Sequence, residues 1–332
     1  MNAKIVTFGE VMMRLTPPGY AKLSQATSFD ILYAGAEANV AAALSGWGLH
    51  AAHVTCFPDH ELGYAARNHL QQYGVEMAFT KFREGRLGVY FNEQGSSLRS
   101  PRIVYDRFDS AFANLEASDF DWDKILEGAN WFHWSGITPA ISASAAAACL
   151  EGAQVARKKG IQISGDINYR RNLWQYGKSA VEVMPALIEL CDIVVAGTTD
   201  FENCLGITAG ELETTCERVV KKYPSIKTVI TTRRDTITAS RNKISGWHWR
   251  STGVKTSREY DLEPLVDRIG AGDAFMAGYI YAALNKWDDQ QAIDFATAAC
   301  ALKHTVEGDV NLVSVEEVKG LLAGENVGKL LR

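Results

Sequence analysis

The stretch Asp267-Arg268-Ile269-Gly270-Ala271-Gly272-Asp273-Ala274-Phe275 places a glycine-rich turn directly before an apolar run, Ala274 to Leu284, that is typical of a helix. The first turn of a helix carries backbone N–H groups without intrahelical partners, so this turn is a candidate anion site. Asp273 is unusual there because a carboxylate repels phosphate, but a base that takes a proton from the group attacking a phosphate would explain it. Taken alone, a glycine turn followed by an ordinary first-turn acid explains the stretch equally well.

Composition limits the classes of protein to consider. The chain has 332 residues and is 47% hydrophobic, enough for one large α/β domain or one domain plus a small appendage. We find no repeats or linkers that would divide residues 1–332, and we expect a single domain. The formal net charge of −5 gives no basic surface for nucleic acid or an anionic membrane.

The cysteines and the apolar runs indicate a compartment. The six cysteines are scattered, without C-x-x-C pairs or zinc spacing, which favours reduced thiols over disulfides or a metal site. The run Lys4 to Glu10 is a strand pattern and not a signal core, and no apolar run reaches bilayer length. We therefore expect a soluble, cytoplasmic protein.

From about residue 129 the chain alternates short apolar strands with helical patterns, which predicts a mostly parallel sheet with helices on both faces. Ser142 can cap a helix that Gly160 ends. Ligands on such sheets lie at the carboxyl ends of strands. Three polar segments follow predicted strand ends: Asn168 to Arg170, Gly197 to Asp200, and Thr231 to Arg233.

Two segments interrupt the alternation. Residues 11–34 and about 86–108 are richer in β-formers and turn residues and predict a small sheet that projects from the main domain.

The turn at 267–275 and the run Gly35-Ala36-Glu37-Ala38-Asn39-Val40-Ala41 together resemble the two signatures of the ribokinase-like (PfkB) carbohydrate kinases. The resemblance implies an α/β fold, with a three-layer α/β/α domain, a mostly parallel central sheet and a small β-sheet lid. It implies a lid at 11–34 and 86–108 that covers a sugar and often pairs between subunits, hence a homo-oligomer.

The substrate class follows from charge. A neutral sugar needs hydroxyl-matching groups, whereas a sugar acid needs a guanidinium that can bind a carboxylate in a bidentate pair. The pairs Tyr105 with Arg107 and Asn168 with Arg170 resemble positions of the family's 2-keto-3-deoxygluconate kinases. The resemblance implies these substrate-binding residues: Gly35, Asn39, Tyr90, Tyr105, Arg107, Arg170 and Asp309.

Other interpretations of these residues stay open. Tyr105 and Arg107 alternate along a predicted strand and could form one solvated face. Arg170 could instead pair with acids or with nucleotide phosphate. A neutral sugar would leave Arg107 without a partner.

No P-loop G-x-x-x-x-G-K-[ST] is present, so a nucleotide triphosphate must be held in another way. The nucleotide and metal assignments therefore also come from the resemblance. Asp273 would be the base, with Gly270, Ala271 and Gly272 forming the anion hole. ATP would contact Asn168, Arg170, Thr231, Arg233, Gly270 and Gly272. Mg²⁺ would be held mostly by phosphate oxygens and water, with Asp200 and Glu202 as nearby acids.

Three departures from the family pattern bear on these assignments. Gly197 to Asp200 replaces the usual Asn-x-x-Glu, and Thr232-Arg233-Arg234 replaces Thr-x-Gly. Arg268 replaces the usual threonine, where its charge could mimic a monovalent cation or add phosphate binding. The nucleotide donor and the monovalent-cation dependence are therefore open.

The sequence predicts ATP-dependent phosphorylation of 2-keto-3-deoxygluconate at its 6-hydroxyl, giving 2-keto-3-deoxy-6-phosphogluconate. Its galactonate epimer fits as well, because one inverted hydroxyl leaves no mark in the sequence. Another PfkB sugar kinase, fructokinase- or ribokinase-like, and a non-catalytic sugar-binding homologue are the alternatives. An oxidoreductase is excluded by the lack of G-x-G-x-x-G after the first strand.

Overall fold

A central sheet forms the middle layer of this computed structural model, which describes residues 3–325. Elements are numbered along the chain, separately for strands and helices. Within the described range the strands of this sheet are β1 (Lys4–Phe8), β4 (His50–Val54), β9 (Ala129–Ser135), β10 (Gln162–Asp166), β11 (Ile193–Val195), β12 (Thr228–Thr238), β13 (Arg241–Arg250), β14 (Gly253–Thr256) and β15 (Tyr260–Leu262).

The strand order β4-β1-β9-β10-β11-β12 is parallel throughout. Strand β13 then runs antiparallel to β12, and β14 and β15 both pair antiparallel with β13. All carboxyl ends of the parallel strands therefore meet at one edge, where a site is expected.

A separate sheet with the order β3-β2-β7-β8 is built from residues inside 11–34 and 86–108. Its strands are β2 (Met12–Thr16), β3 (Asp30–Ala34), β7 (Val89–Glu93) and β8 (Arg102–Asp106). We call it the lid sheet. The short strands β5 (Cys56–Pro58) and β6 (Lys81–Arg83) pair with each other.

Helices cover both faces of the central sheet. The helices are α1 (Ala36–Gly46), α2 (Glu61–Gln72), α3 (Trp122–Ile125), α4 (Ile137–Ile141), α5 (Ala143–Lys158), α6 (Ala180–Ile188), α7 (Thr198–Leu205), α8 (Leu212–Lys222), α9 (Ala271–Leu284), α10 (Asp289–Lys303) and α11 (Val315–Ala323). One core contains buried residues of α1, α9 and α10, such as Leu44, Ile280 and Phe295. A second core contains α5, α6 and α8, for example Leu187 and Val219. The predicted fold class is thus confirmed.

Local predictions can be compared with the elements. Ser142 Oγ accepts from Ala145 N at 3.1 Å and starts α5, and Gly160 ends that region with φ +69°, as predicted. One boundary is wrong: Thr231 to Arg233 do not follow a strand end but lie inside β12, which continues to Thr238. The strand is longer because its hairpin partner β13 supplies an antiparallel ladder beyond the parallel pairing.

Two whole-chain expectations concern the cysteines and the membrane. All six cysteines are buried and carry free thiols. Between residues 3 and 325, none of the helices combines the length and the apolar content that a membrane span requires.

Candidate active site

The glycine-rich turn leads into α9 as the sequence predicts. Gly270 is the N-cap residue, with φ +78°, and a Cβ there would lie 1.8 Å from the carbonyl oxygen of Asp309. Only glycine fits, because both the left-handed backbone and the close approach exclude a side chain. A Cβ at Gly272 would meet nothing within 4 Å. The first amides of α9 therefore lie beside open space, where the helix dipole favours an anion.

Asp273 lies in the first turn of α9 and meets a second helix start. Gly35 caps α1, and Asn39 in its first turn donates from Nδ2 to Asp273 Oδ2 at 2.7 Å. Burial raises the pKa of Asp273 to about 7, the Asn39 hydrogen bond opposes this, and the charges of Asp309 and Glu37 add to it. A carboxyl group whose pKa lies near neutrality suits proton transfer.

The start of α1 is held against β9 by Glu37. Its Oε1 accepts from Ser135 N at 3.0 Å and from Thr138 Oγ1 at 2.7 Å. Burial raises the pKa of Glu37 to about 7, although these hydrogen bonds lower it. Gly35 packs against the backbone of Glu10, so closely that a Cβ at Gly35 would lie 2.1 Å from the Glu10 carbonyl oxygen. These contacts fix where Asn39 points.

A cavity of about 410 Å³ lies between the lid sheet and the carboxyl ends of the parallel strands. It brings together most of the residues that the sequence analysis selected. They are Gly35, Asn39, Tyr90, Tyr105, Arg107, Asn168, Arg170, Gly270, Gly272, Asp273 and Asp309. Ala271, Thr231, Arg233, Asp200 and Glu202 do not line it, whereas Arg234, one residue further along β12, does.

Arg107 is already paired. Its Nε donates to Glu10 Oε2 at 2.8 Å, its Nη2 donates to the same oxygen, and Ser110 Oγ donates to Glu10 Oε1. The expectation that Arg107 would lack a partner without a substrate carboxylate is therefore wrong. Nor does Arg107 form a solvated face, because it is only 4% exposed. Arg170, by contrast, is exposed at the cavity, and its Nη1 donates to the carbonyl oxygen of Tyr169 at 3.4 Å.

The acids at the ends of β10 and β11 differ in their surroundings. Burial raises the pKa of Asp166 to about 8, with further contributions from the charges of Asp200 and Asp273. Asp200 accepts from Gly197 N at 2.8 Å and from Tyr169 N at 3.3 Å, so it caps α7 and orients the neighbouring loop. In the part of the chain that the structure describes, no group of three or more His, Cys, Asp or Glu residues could hold a metal ion.

Asp309 has both carboxylate oxygens engaged. Arg14 Nη1 donates to Oδ1, and the Tyr90 hydroxyl donates to Oδ2. Burial raises the pKa of Asp309, while Arg14 opposes this. Sequence reasoning missed Arg14, although a lone arginine in the apolar run Met12 to Leu15 of β2 was a signal that a buried partner exists.

Arg268 lines the cavity but its Nη2 faces away from the turn. It donates to the carbonyl oxygens of Thr238 and Ala239, at 2.7 and 2.9 Å, and to Asn242 Oδ1 at 3.2 Å. Burial lowers the pKa of Arg268, and the neighbouring Arg234 adds to this effect. The guanidinium that pairs with the first aspartate of the turn, Asp267, is therefore Arg14 and not Arg268.

Comparisons with known proteins identify the family of the chain. The family model described as pfkB family carbohydrate kinase matches residues 2–315. A 2-dehydro-3-deoxygalactonokinase from Haloferax volcanii is 33% identical over 328 residues, which are 99% of each chain. A crystal structure of 2-dehydro-3-deoxygluconokinase from Thermotoga maritima is 41% identical with a TM-score of 0.92, over 97% of this chain and 100% of the other. A PfkB carbohydrate kinase structure from Listeria grayi is 35% identical with a TM-score of 0.91, over 96% and 99%. The chain therefore belongs to the PfkB family and is a carbohydrate kinase.

Proposed function

We propose that the protein transfers a phosphoryl group from ATP to the 6-hydroxyl of 2-keto-3-deoxygluconate or of its galactonate epimer. The observation that carries this proposal is the position of Asp273. It is a half-buried carboxyl group with a pKa near neutrality, held by Asn39, beside the first amides of α9. The similar proteins from Haloferax volcanii and Thermotoga maritima carry the names of kinases for these two sugar acids, which supports the substrate class.

The proposed chemistry needs few groups. The substrate hydroxyl oxygen attacks the γ-phosphorus, the bond to the bridging oxygen of ADP breaks, and the hydroxyl proton passes to Asp273. Amides at Gly270 to Gly272 stabilise the charge on the transferred phosphoryl group, an arrangement that needs no covalent intermediate. Asn39 orients the carboxylate of the base and meets a sugar hydroxyl.

Arg170 is the proposed partner of the substrate carboxylate. It faces the cavity, whereas two donor groups of Arg107 are already bound to Glu10. Arg107 then serves mainly to hold the lid segment over the substrate. The centroid of the Tyr105 ring lies 6.0 Å from its guanidinium carbon Cζ. A fructokinase- or ribokinase-like activity on a neutral sugar remains the alternative, and there Arg170 would bind nucleotide phosphate instead.

Magnesium would accompany ATP. The cavity offers few protein ligands, with Asp166 at its wall and Asp200 engaged in capping α7. This fits an ion held mostly by phosphate oxygens and water, whose charge would stabilise the departing ADP. Glu202 lies within α7, one turn beyond the cap, and would act only through water.

Lid pairing is the proposed route to an oligomer. Residues Ile31, Leu15, Phe91 and Val104 are successive partners across the four lid strands, so they form one apolar row. Ile31 is 55% exposed and Val104 is 44% exposed. The opposite face carries Tyr90 and Tyr105, which line the cavity. A second lid sheet on the apolar row would give a homodimer.

The test is a coupled ADP-release assay with Mg-ATP. It compares both keto-deoxy sugar acids with fructose and ribose, using wild type, Asp273→Asn, Arg170→Ala and the control Arg171→Ala. Arg171 is the adjacent arginine and does not line the cavity. We expect turnover of the sugar acids only, loss in Asp273→Asn, and a raised KM for the sugar acid in Arg170→Ala alone. Preference for a neutral sugar would refute the substrate assignment, and no turnover with any sugar would favour a binding protein.

A further inference from the structure

Arg14 is a buried guanidinium that the proposed chemistry does not use. It lies in the lid strand β2 and is 1% exposed. Its Nε donates to Thr16 Oγ1 at 2.8 Å, its Nη2 to Asp267 Oδ2 at 2.7 Å, and its Nη1 to Asp309 Oδ1. A lid residue thus binds two carboxylates of the main domain, one at each side of the anion-binding turn.

Asp267 connects this guanidinium to the turn itself. Its Oδ1 accepts from Ile269 N at 3.0 Å, and its Oδ2 accepts from Gly308 N at 3.2 Å as well as from Arg14. The carbonyl of Asp309 lies against Gly270, so closely that a Cβ there would be 1.8 Å away. The two segments that Arg14 joins are therefore the two segments that pack together at the start of α9.

Charge explains why one cation is shared in this way. Asp267 and Asp309 are 6% and 4% exposed, so without a counter-charge the two carboxylates would repel each other in a medium of low dielectric constant. Burial disfavours the charged form of Arg14, but the charges of Asp309 and then Asp267 outweigh it and raise its pKa. The planar fork of arginine reaches both acids at once, which a lysine ammonium cannot reproduce.

We propose that Arg14 is a positioning residue for phosphoryl transfer. By holding Asp267 and Asp309 at a fixed separation it sets the direction of the amides at 270–272, and it makes their order depend on the lid sheet. This rests on the proposed function, because the amides matter only if they receive a phosphoryl group. A displacement of the turn by about 1 Å is expected to lower kcat by ~100-fold.

The test uses Arg14→Met, Arg14→Lys and Arg14→Ala, with Arg99→Met as the control. Arg99 is also a lid arginine, but its partners, Glu93 Oε1 at 2.9 Å and the carbonyl of Tyr20 at 2.7 Å, both belong to lid segments. Two readouts are measured for each variant. The first is amide hydrogen exchange of peptides covering 267–275 without ligands, and the second is kcat for the preferred sugar acid.

We expect faster exchange in 267–275 and a kcat lowered by ~100-fold in Arg14→Met. Arg14→Lys should be only partly active and Arg99→Met should stay within about twofold of wild type. In Arg14→Ala, millimolar guanidinium should restore part of the kcat, because Tyr90 and Asp309, which adjoin Arg14, also line the cavity. This rescue keeps the idea testable if the Met variant folds poorly.

A different result would overturn the inference. Wild-type exchange and kcat in Arg14→Met, with only a lower melting temperature, would make Arg14 a purely structural residue. So would a folded Arg14→Ala variant whose kcat equals that of wild type without added guanidinium. If wild type itself phosphorylates none of the sugars, the proposed function fails, and the exchange comparison still decides whether Arg14 orders the turn.

Discussion

Replacing Asn39 by alanine should move the pH at which the enzyme gains activity. Asn39 Nδ2 donates a 2.7 Å hydrogen bond to Asp273 Oδ2 and lowers the pKa of that carboxyl group, which burial raises to about 7. The donor stabilises the ionised carboxylate, so its loss favours the protonated form. Because only the ionised form accepts a proton, the variant needs a higher pH to work.

The size of the shift follows from the charge on the acceptor. A hydrogen bond to a charged group contributes about 1.5–3 kcal/mol, which corresponds to roughly 1–2 pKa units. The midpoint of Asp273 should therefore move from about 7 to roughly 8–9. At pH 7 the ionised fraction would fall from about one half to roughly 1–10%, a loss of ~5–50-fold relative to wild type at the same pH.

The assay is kcat/KM for the sugar acid at saturating Mg-ATP, measured from pH 6 to pH 10. The control is Tyr105→Phe, which alters another cavity residue on the lid and should change the level of the profile but not its midpoint. The quantity to compare is the difference between the profile midpoints of wild type and Asn39→Ala, since bound Mg-ATP shifts both midpoints. Superimposable acidic limbs for wild type and Asn39→Ala would refute the assignment of Asp273 as the base that Asn39 tunes.

Further outcomes are expected for variants at three places: Asp273, the glycines of the turn, and the lid sheet. Asp273→Asn should lose ~10²–10⁴-fold in kcat. Folding raises the pKa of Asp273 from 3.8 to about 7, so the protonated carboxyl group stabilises the folded state most at low pH. This stabilisation is lost as pH rises to about 7. The melting temperature of Asp273→Asn relative to wild type should therefore rise between pH 5 and pH 8. Gly270→Ala should lower the melting temperature, because the left-handed backbone alone costs ~1–2 kcal/mol of folding stability and the contact of the new Cβ with the Asp309 carbonyl costs more. Gly272→Ala should melt like wild type, because its Cβ enters open space. Ile31→Lys places a charge on the apolar row of the lid sheet and should shift light-scattering mass from dimer to monomer, and an unchanged mass would argue against lid pairing.

Local features of the candidate active site were readable from the sequence alone. The proposed anion-binding turn lies within four consecutive residues, 270–273, and its proposed chemistry depends on glycine conformations and on the first amides of a helix. Strand–helix alternation predicted the parallel sheet for a similar reason, because periodicity reflects which faces are buried. The predicted end of β12 was wrong, because the hairpin partner β13, and not the residues of β12 itself, decides where the ladder stops.

The pairing of polar and charged side chains at the candidate site was decided by the tertiary structure. Asn39 meets Asp273 across 234 residues, Arg14 meets Asp267 across 253, and Arg107 meets Glu10 across 97. From sequence, Arg107 was expected to bind a substrate carboxylate, and the charge of Arg268 to mimic a monovalent cation or add phosphate binding. Both assignments depended on which strands the fold brings together at one edge. Propensity and spacing act over a few residues, whereas the partner of a buried ion is chosen by long-range packing that excludes water from both.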